Sequence, residues 1–201
     1  MEAQGQSSST GKNPLKNSSL VTNEENLHRE FELALQEIFG STRNPYMRRC
    51  QFRFVEQSPS NCAFEIKFMH PVGRSQFCAL KMIFLIKNGS FDYVQFIAPH
   101  EEWTFSDYNQ HQLDLDKESR YCLYRRLTMY GNLYLISAIS LVPAAGPKQT
   151  IGNVIQVFIR LAAIFSTPCK VCKKILKDFM PPIVFTDIIR DPRSIVHESC
   201  R

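Results

Sequence analysis

Three cysteines and one histidine near the C-terminus have the spacing of a zinc site. Cys169, Cys172, His197 and Cys200 form the pattern C-x2-C-x24-H-x2-C. Zinc prefers thiolate and imidazole ligands, and structural zinc sites are closed tetrahedra of four such ligands. The close spacing within each pair lets a short loop fix two ligands at once. The sequence predicts one structural zinc ion, with a knuckle around the first pair and a final helical turn under the second.

Four protein ligands leave no position on the metal for a reacting water molecule, which argues against hydrolytic chemistry at this site. Glu198 follows the metal histidine, but the second histidine of the H-E-x-x-H protease motif is missing. No glycine-rich phosphate-binding motif and no G-x-S-x-G motif occurs in the sequence. We therefore expect a protein that is not an enzyme. The other histidines are predicted to be isolated at strand ends and in loops: His28, His70, His100 and His111.

The four remaining cysteines have no ligand spacing between them and are expected to be small buried side chains, as free cysteine usually is. They are Cys50, Cys62, Cys78 and Cys122. The N-terminal residues contain no apolar stretch typical of a secretion signal, so a reducing compartment is expected. In that setting a paired cysteine motif favours a metal over a disulfide. No uncharged apolar run reaches the roughly 18 residues that a membrane helix needs.

A net charge of +5 could indicate an acidic partner such as a nucleic acid. The excess is modest, and neither an RNA-binding aromatic run nor a recognition-helix pattern accompanies it. Solvated faces that keep the protein soluble are the simpler interpretation, and no sequence-specific DNA binding is predicted. Two clusters of basic residues contribute to this charge: Arg43, Arg48 and Arg49, and then Lys170, Lys173, Lys174 and Lys177.

The elements that must position the metal ligands begin after a polar tail. Residues 1–23 are rich in Ser, Asn, Gln and Thr with few large apolar side chains, so a disordered tail is predicted. Thr22-x-x-Glu25 is a capping box, and apolar residues follow it at helical spacing up to Gly40. One amphipathic helix is predicted over about residues 24–39.

The pattern then changes to the period of two that indicates strands. Alternating apolar residues cover 62–69, and a long apolar run covers 76–87. Asn88-Gly89 joins that run to 91–98 and is a strong hairpin signal. An antiparallel meander of about four strands is predicted, with the longest strand in its interior.

The C-terminal half is predicted to be helical. Residues 99–116 are mostly polar, with Trp103 as the large anchor, and should form a long connecting loop. Helical spacing returns over 117–141, with Asp116 as its N-cap, and again over about 150–166. The expected buried stripe of the first of these helices is Leu123, Leu127, Tyr130, Tyr134, Ala138 and Leu141.

The predicted fold class is α+β: an N-terminal helix, an antiparallel meander of about four strands, two long helices packed on it, and a small C-terminal zinc-binding module. The domains would be a tail over 1–23, an α+β domain over 24–166 and the module over 167–201. The module should have a satellite core too small to fold alone, held by roughly 10 kcal/mol or more of metal-binding energy. Its apolar residues are Ile175, Leu176, Phe179, Met180, Ile183 and Phe185.

The residues around the predicted ligands resemble those of a known family. The run P-C-K-V-C-K-K-I-L over 168–176, the pair Pro181-Pro182 and the closing H-E-S-C-R over 197–201 resemble the C-terminal segment of subunit 27 of the Mediator complex of RNA polymerase II transcription. Weaker similarity covers roughly residues 24–201. Two features depart from the family. Ile183-Val184-Phe185 stands where members usually carry a tryptophan, and a short polar tail stands where members have a helical N-terminal region that bundles with other subunits.

The resemblance implies a non-enzymatic nuclear subunit that lies where the head and tail modules of Mediator meet. It would relay signals from DNA-bound activators to RNA polymerase II, contacting other Mediator subunits directly and no membrane. The mechanism would be scaffolding through apolar surface on the module and on a one-sided sheet, with Trp103, Tyr121, Tyr124 and Tyr130 as candidate anchors. The competing hypothesis is a zinc-containing nucleic-acid-binding module that uses the lysines between Cys169 and Lys177.

Overall fold

The structure is a computed structural model that describes residues 15–40, 49–72, 75–102, 105–106, 109–141, 147–183 and 195–201. One long helix is followed by four strands, a small hairpin, two further helices and a C-terminal segment that carries the Cys/His cluster. The predicted α+β class is therefore confirmed. None of the helices in these ranges combines the length and the apolar character needed to cross a membrane.

Helix α1 spans Leu15–Gly40 and starts earlier than predicted. Residues 15–23, expected in the disordered tail, are helical, so Thr22 lies inside the helix and does not cap it. Extending a helix is far less costly than nucleating one, so a packed C-terminal half can carry polar turns before it. In that half Phe31 is buried with its ring 5.2 Å from that of Phe91. Residues 1–14 lie outside the described part of the chain.

The four main strands form an antiparallel sheet in the order β1-β2-β3-β4, as predicted. They span Cys50–Gln57, Asn61–Val72, Ser75–Lys87 and Ser90–Ile97. The longest strand, β3, lies in the interior. Asn88 and Gly89 both have positive φ, 50° and 73°, as a tight two-residue turn requires. A Cβ on Gly89 would lie 2.8 Å from the main chain of Leu27, so this turn also packs directly on α1.

Helices α2, Cys122–Leu141, and α3, Pro147–Leu161, cover one face of the sheet. Phe84 on β3 stacks on Phe64 of β2 at 5.1 Å and meets Phe158 of α3 edge-on at 5.2 Å. All three rings are fully buried. The predicted packing of two helices on one face is therefore present, and a short 3-10 helix, Ala162–Phe165, leads from α3 toward the cysteines.

Helix α2 begins five residues later than predicted, and Asp116 is not its N-cap. The carboxylate of Glu101 accepts hydrogen bonds from the Ser119 hydroxyl at 2.6 Å and from the main-chain N–H of Arg120 at 3.0 Å. These bonds hold the residues before Cys122 in an irregular conformation. Because the partner lies on a different segment, the local pattern around 117–121 could not indicate this.

The predicted stripe of α2 faces the core, but the most buried residues lie to one side of it. Leu127 is buried as expected, together with Tyr124, Gly131 and Leu135. Four further members of the predicted stripe are half-buried and pack against the core: Leu123, Tyr130, Tyr134 and Ala138. The side chain of Leu141 lies outside the described set. A Cβ on Gly131 would lie 2.9 Å from side-chain atoms of Phe96 and of Val94, so α2 approaches β4 along its glycine. The opposite face of α2 leaves large apolar side chains exposed: Met129, Leu133, Ile136 and Ile139.

The second face of the sheet is covered, contrary to the one-sided sheet that was expected. Ile83 and Ile97 are buried there, and Leu113 and Leu115 pack against them. The predicted loop over 99–116 supplies this cover and contains a two-stranded hairpin, β5, Phe105–Ser106, and β6, Asn109–Leu113. Trp103 lies outside the described residues.

Candidate metal site

Cys169, Cys172, His197 and Cys200 converge at one place, as their spacing predicts. One ligand atom from each residue lies within 4.8 Å of all the others. The Cys172 sulfur lies 3.3 Å from Nδ1 of His197, and the Cys200 sulfur lies 4.0 Å from the same nitrogen. Cys169 and His197 are buried, whereas the other two are half-buried. This cluster could hold a metal ion.

The first pair of thiols lies on a tight turn. The N–H of Lys173 donates to the carbonyl of Cys169, and the N–H of Cys169 donates to the carbonyl of Lys174, both at 2.9 Å. Lys173 reaches this geometry with a φ of 61°, in the left-handed region that favours glycine. The predicted knuckle is therefore present, with a strained lysine that the sequence pattern did not reveal.

The second pair lies on a 3-10 helix, Glu198–Cys200, that His197 precedes. The expected final helical turn is thus tighter than an α-helical one. The N–H of Lys170 donates to the carbonyl of Ile195 at 3.0 Å, which joins this segment to the knuckle. A main-chain bond therefore brings the two distant pairs together, although residues 184–194 lie outside the described chain.

The imidazole of His197 is oriented from both sides. Its Nε2 lies 3.4 Å from the main-chain oxygen of Ile175, while Nδ1 faces the thiols. Histidines that bind metals usually donate their other ring N–H to a carbonyl or carboxylate, which fixes the tautomer. Because Nε2 faces the oxygen of Ile175, the lone pair of Nδ1 is available to a metal ion in the cluster.

Main-chain groups favour the thiolate of Cys169. Burial alone would raise its pKa, but N–H groups of Cys172, His197 and Val171 point at the sulfur and lower the pKa to about 6. The closest of these that the structure records is the N–H of His197, at 3.5 Å from the sulfur. Cys169 is therefore predisposed to carry the negative charge that a metal ligand needs.

Crowding has the opposite effect on Cys200. Burial raises the pKa of its thiol, and the neighbouring thiols of Cys172 and Cys169 raise it further, against a lowering contribution from Lys177. The Lys177 ammonium lies 3.4 Å from the sulfur. Several thiols in one cluster hinder each other's ionisation, and a divalent cation between them would remove that hindrance.

Contacts outside the cluster attach it to the α+β domain. Arg126 of α2 forms an ion pair with Glu198 at 2.5 Å. Ile183 and Ile195 are buried and join the main core. The expected satellite core is wrong for Ile175, Leu176 and Phe179, which are exposed. Met180 is half-buried against the main core, and Phe185 lies outside the described chain.

The predictions for the remaining four cysteines and four histidines are confirmed only in part. Cys62 is buried, Cys50 and Cys78 are half-buried, and Cys122 is exposed, so the expectation of burial is wrong for the last of them. His28 is not isolated, because it lies in a cluster with other potential ligands. His100 accepts or donates a 2.8 Å hydrogen bond with the hydroxyl of Tyr121. The side chains of His70 and His111 lie outside the described set.

The fold and the cluster define an α+β protein whose C-terminal segment carries a Cys/His cluster that could hold a metal ion. The sequence model of the Mediator complex subunit 27 family matches residues 113–201. The matched segment contains α2, α3 and all four converging residues, so the resemblance based on the C-terminal motifs is confirmed over this region. No curated protein matches the chain.

Proposed function

We propose that this chain is a non-enzymatic structural subunit of the Mediator coactivator complex and acts in the nucleus. The match of the Mediator complex subunit 27 family over residues 113–201 carries this proposal. In this role the chain holds neighbouring subunits together at the junction of the head and tail modules. Signals from DNA-bound activators would pass through that junction to RNA polymerase II.

We also propose that Cys169, Cys172, His197 and Cys200 bind one structural zinc ion. Three thiols and one imidazole are a donor set typical of structural zinc, and the outer contact of His197 with Ile175 fits a metal-bound Nδ1. The metal would hold together a segment in which Val171, Ile175, Leu176 and Phe179 are exposed. Bound in this way, the metal would supply rigidity, and its four protein ligands would leave no position for a reacting water molecule.

An exposed aromatic ring beside the cluster fits an anchor for a partner subunit. Lys177 and Met180 exchange two main-chain hydrogen bonds of 3.0 Å around the turn Asp178-Phe179. Both turn residues have positive φ, 54° and 60°, where asparagine and glycine are usual. A left-handed backbone costs roughly 1–2 kcal/mol at each non-glycine residue. Since the ring of Phe179 is 97% exposed, this strained turn displays an aromatic side chain.

The outer face of α2 supplies further apolar surface within the matched segment. Met129, Leu133 and Ile136 are each more than half exposed and follow the i, i+4, i+7 spacing of one helix face. Contiguous exposed apolar side chains of this kind indicate a contact with another protein. Tyr124, one of the expected aromatic anchors, is buried and cannot serve as one. The apolar face of α2 takes its place as a candidate contact surface.

A double variant tests the anchor without removing the turn. Asp178→Asn with Phe179→Gly installs the residues that the turn prefers and deletes the ring. We expect unchanged zinc content and equal or higher thermal stability. Recovery of other Mediator subunits with the tagged full chain from nuclei should fall about tenfold, which corresponds to ~1.4 kcal/mol. Asp178→Asn alone keeps the ring and is the matched control.

Affinity purification of the wild-type chain tests the proposal itself. Recovery of Mediator subunits that persists as salt is raised supports scaffolding through apolar contacts. Binding to duplex DNA or to RNA would support a nucleic-acid-binding module instead, if the logarithm of the binding constant falls steeply with the logarithm of the salt concentration. Lys177 weighs against that alternative, because its ammonium lies beside Cys200 and the main-chain oxygen of Ser199. A chain recovered without any Mediator subunit would contradict the proposal.

A further inference from the structure

A second cluster of metal-binding side chains lies between α1 and the sheet. His28 and Glu32 are one turn apart on α1, and both face Cys62 at the start of β2. One ligand atom from each lies within 4.8 Å of the other two. The Nε2 atom of His28 is 3.5 Å from Oε1 of Glu32. No sequence motif joins these residues, since helix and strand bring them together only in the folded chain.

The imidazole of His28 is the unexplained feature of this cluster. The residue is 3% exposed, and neither ring nitrogen has a hydrogen-bond partner among the described residues. Buried polar groups in native proteins almost always have a partner, and an unpaired one indicates an ion or a water molecule at that place. The partner of His28 must be small, because Glu32 and Cys62 already lie around the ring.

We propose that His28, Glu32 and Cys62 bind a second divalent metal ion of the zinc type. Imidazole nitrogen, carboxylate oxygen and thiolate sulfur are the three donor types that zinc takes from proteins. Tetrahedral zinc with bonds of about 2.1 Å needs donors about 3.4 Å apart, and His28 and Glu32 meet that requirement. The carboxylate side chain of Glu32 is 23% exposed, so solvent can supply the fourth ligand.

The surrounding residues hold the carboxylate in place. The amide Nε2 of Gln57 donates to Oε1 of Glu32 at 3.0 Å, and Gln57 is the pairing partner of Cys62 across β1 and β2. An outer hydrogen bond of this kind orients a ligating carboxylate. Three protein donors would hold the ion here, against four at the C-terminal cluster. We therefore expect weaker binding here than at the C-terminal cluster.

Metal stoichiometry of the full, tag-free and reduced chain tests this site. Titration with Zn²⁺ against a chelator should show one tight and one weaker equivalent. Glu32→Gln keeps the shape of the side chain and should weaken the second equivalent at least about tenfold. Cys62→Ala should abolish it, while Cys78→Ser, a half-buried thiol outside the cluster, should keep both equivalents.

The ring nitrogens of His28 give a readout in the wild-type chain, which needs no variant to fold. The nitrogen NMR shifts of His28 should change as the second equivalent of zinc binds. A wild-type chain that binds a single equivalent would overturn the inference. So would a second equivalent that both Glu32→Gln and Cys62→Ala retain. Neither result bears on the Mediator role, because this cluster lies outside the matched segment.

Discussion

The Nε2 atom of His197 lies 3.4 Å from the main-chain oxygen of Ile175. This contact turns the other ring nitrogen toward Cys172 and Cys200. Ile175 follows the knuckle in sequence, so the segment that carries the first pair of thiols also orients the histidine of the second pair. The two halves of the motif therefore depend on each other, and losing one donor should loosen both.

Replacing Cys200 by serine should weaken zinc binding at the C-terminal cluster by more than about 100-fold, the upper end of what loss of an outer hydrogen-bond partner causes. The hydroxyl is a poor zinc ligand and leaves three donors. Chelator competition measures the affinity, and hydrogen exchange at the Lys170 N–H reports loosening of its bond to Ile195. Cys122→Ser, an exposed thiol outside the cluster, is the control. Equal affinity in both variants would remove Cys200 from the ligand set.

Lys173→Gly should stabilise the metal-loaded module by about 0.5–1 kcal/mol. Relief of the left-handed strain at Lys173 outweighs the extra chain entropy that glycine brings to the unfolded state. Denaturant unfolding of the zinc-loaded chain measures the change. Lys174→Gly is the matched control, because only the entropy term acts at a residue without positive φ, and it should destabilise by a similar amount. A loss of stability in Lys173→Gly would mean that its side chain makes a compensating contact.

Features set by short stretches of sequence were predicted correctly. The Asn88-Gly89 turn fixes the β3–β4 hairpin through the φ values it permits, and alternation gives the remaining strands. The convergence of Cys169, Cys172, His197 and Cys200 was also predictable, because zinc sites restrict ligand types and pair them at close spacing. These signals need no knowledge of what packs against them.

Features set by contacts between distant segments were not predictable. The most buried line of α2 depends on how closely Gly131 approaches Phe96, and helical periodicity carries no information about that distance. The cluster at His28 depends on a strand residue outside its helix. In each case the deciding neighbour lies on another element.

Gly131→Ala should destabilise the domain by about 1–3 kcal/mol, the usual cost of overpacking a core. The new Cβ would lie 2.9 Å from atoms of Phe96 and Val94, and α2 would have to move away from β4. Thermal and denaturant unfolding measure the loss. Gly152→Ala on α3 is the control, because its Cβ would meet no atom within 4 Å, and alanine should stabilise the helix by up to about 1 kcal/mol. Equal effects of the two substitutions would show that α2 does not approach the sheet so closely.

Glu101→Gln should destabilise the domain by about 1–3 kcal/mol near neutral pH, because the carboxylate accepts bonds from Ser119 and from the N–H groups of Ala98 and Arg120. Burial raises the pKa of Glu101, but these bonds outweigh it and lower the pKa below the usual 4.5. A lowered pKa contributes stability that is present above the unfolded value and is lost as the pH falls through the folded one. The difference in unfolding free energy between Glu101→Gln and wild type, measured with denaturant, should therefore shrink as the pH is lowered. Glu118→Gln, at an exposed carboxylate, should show little difference at any pH. A stability difference between Glu101→Gln and wild type that stays constant as the pH is lowered would contradict the stabilising role of the Glu101 carboxylate.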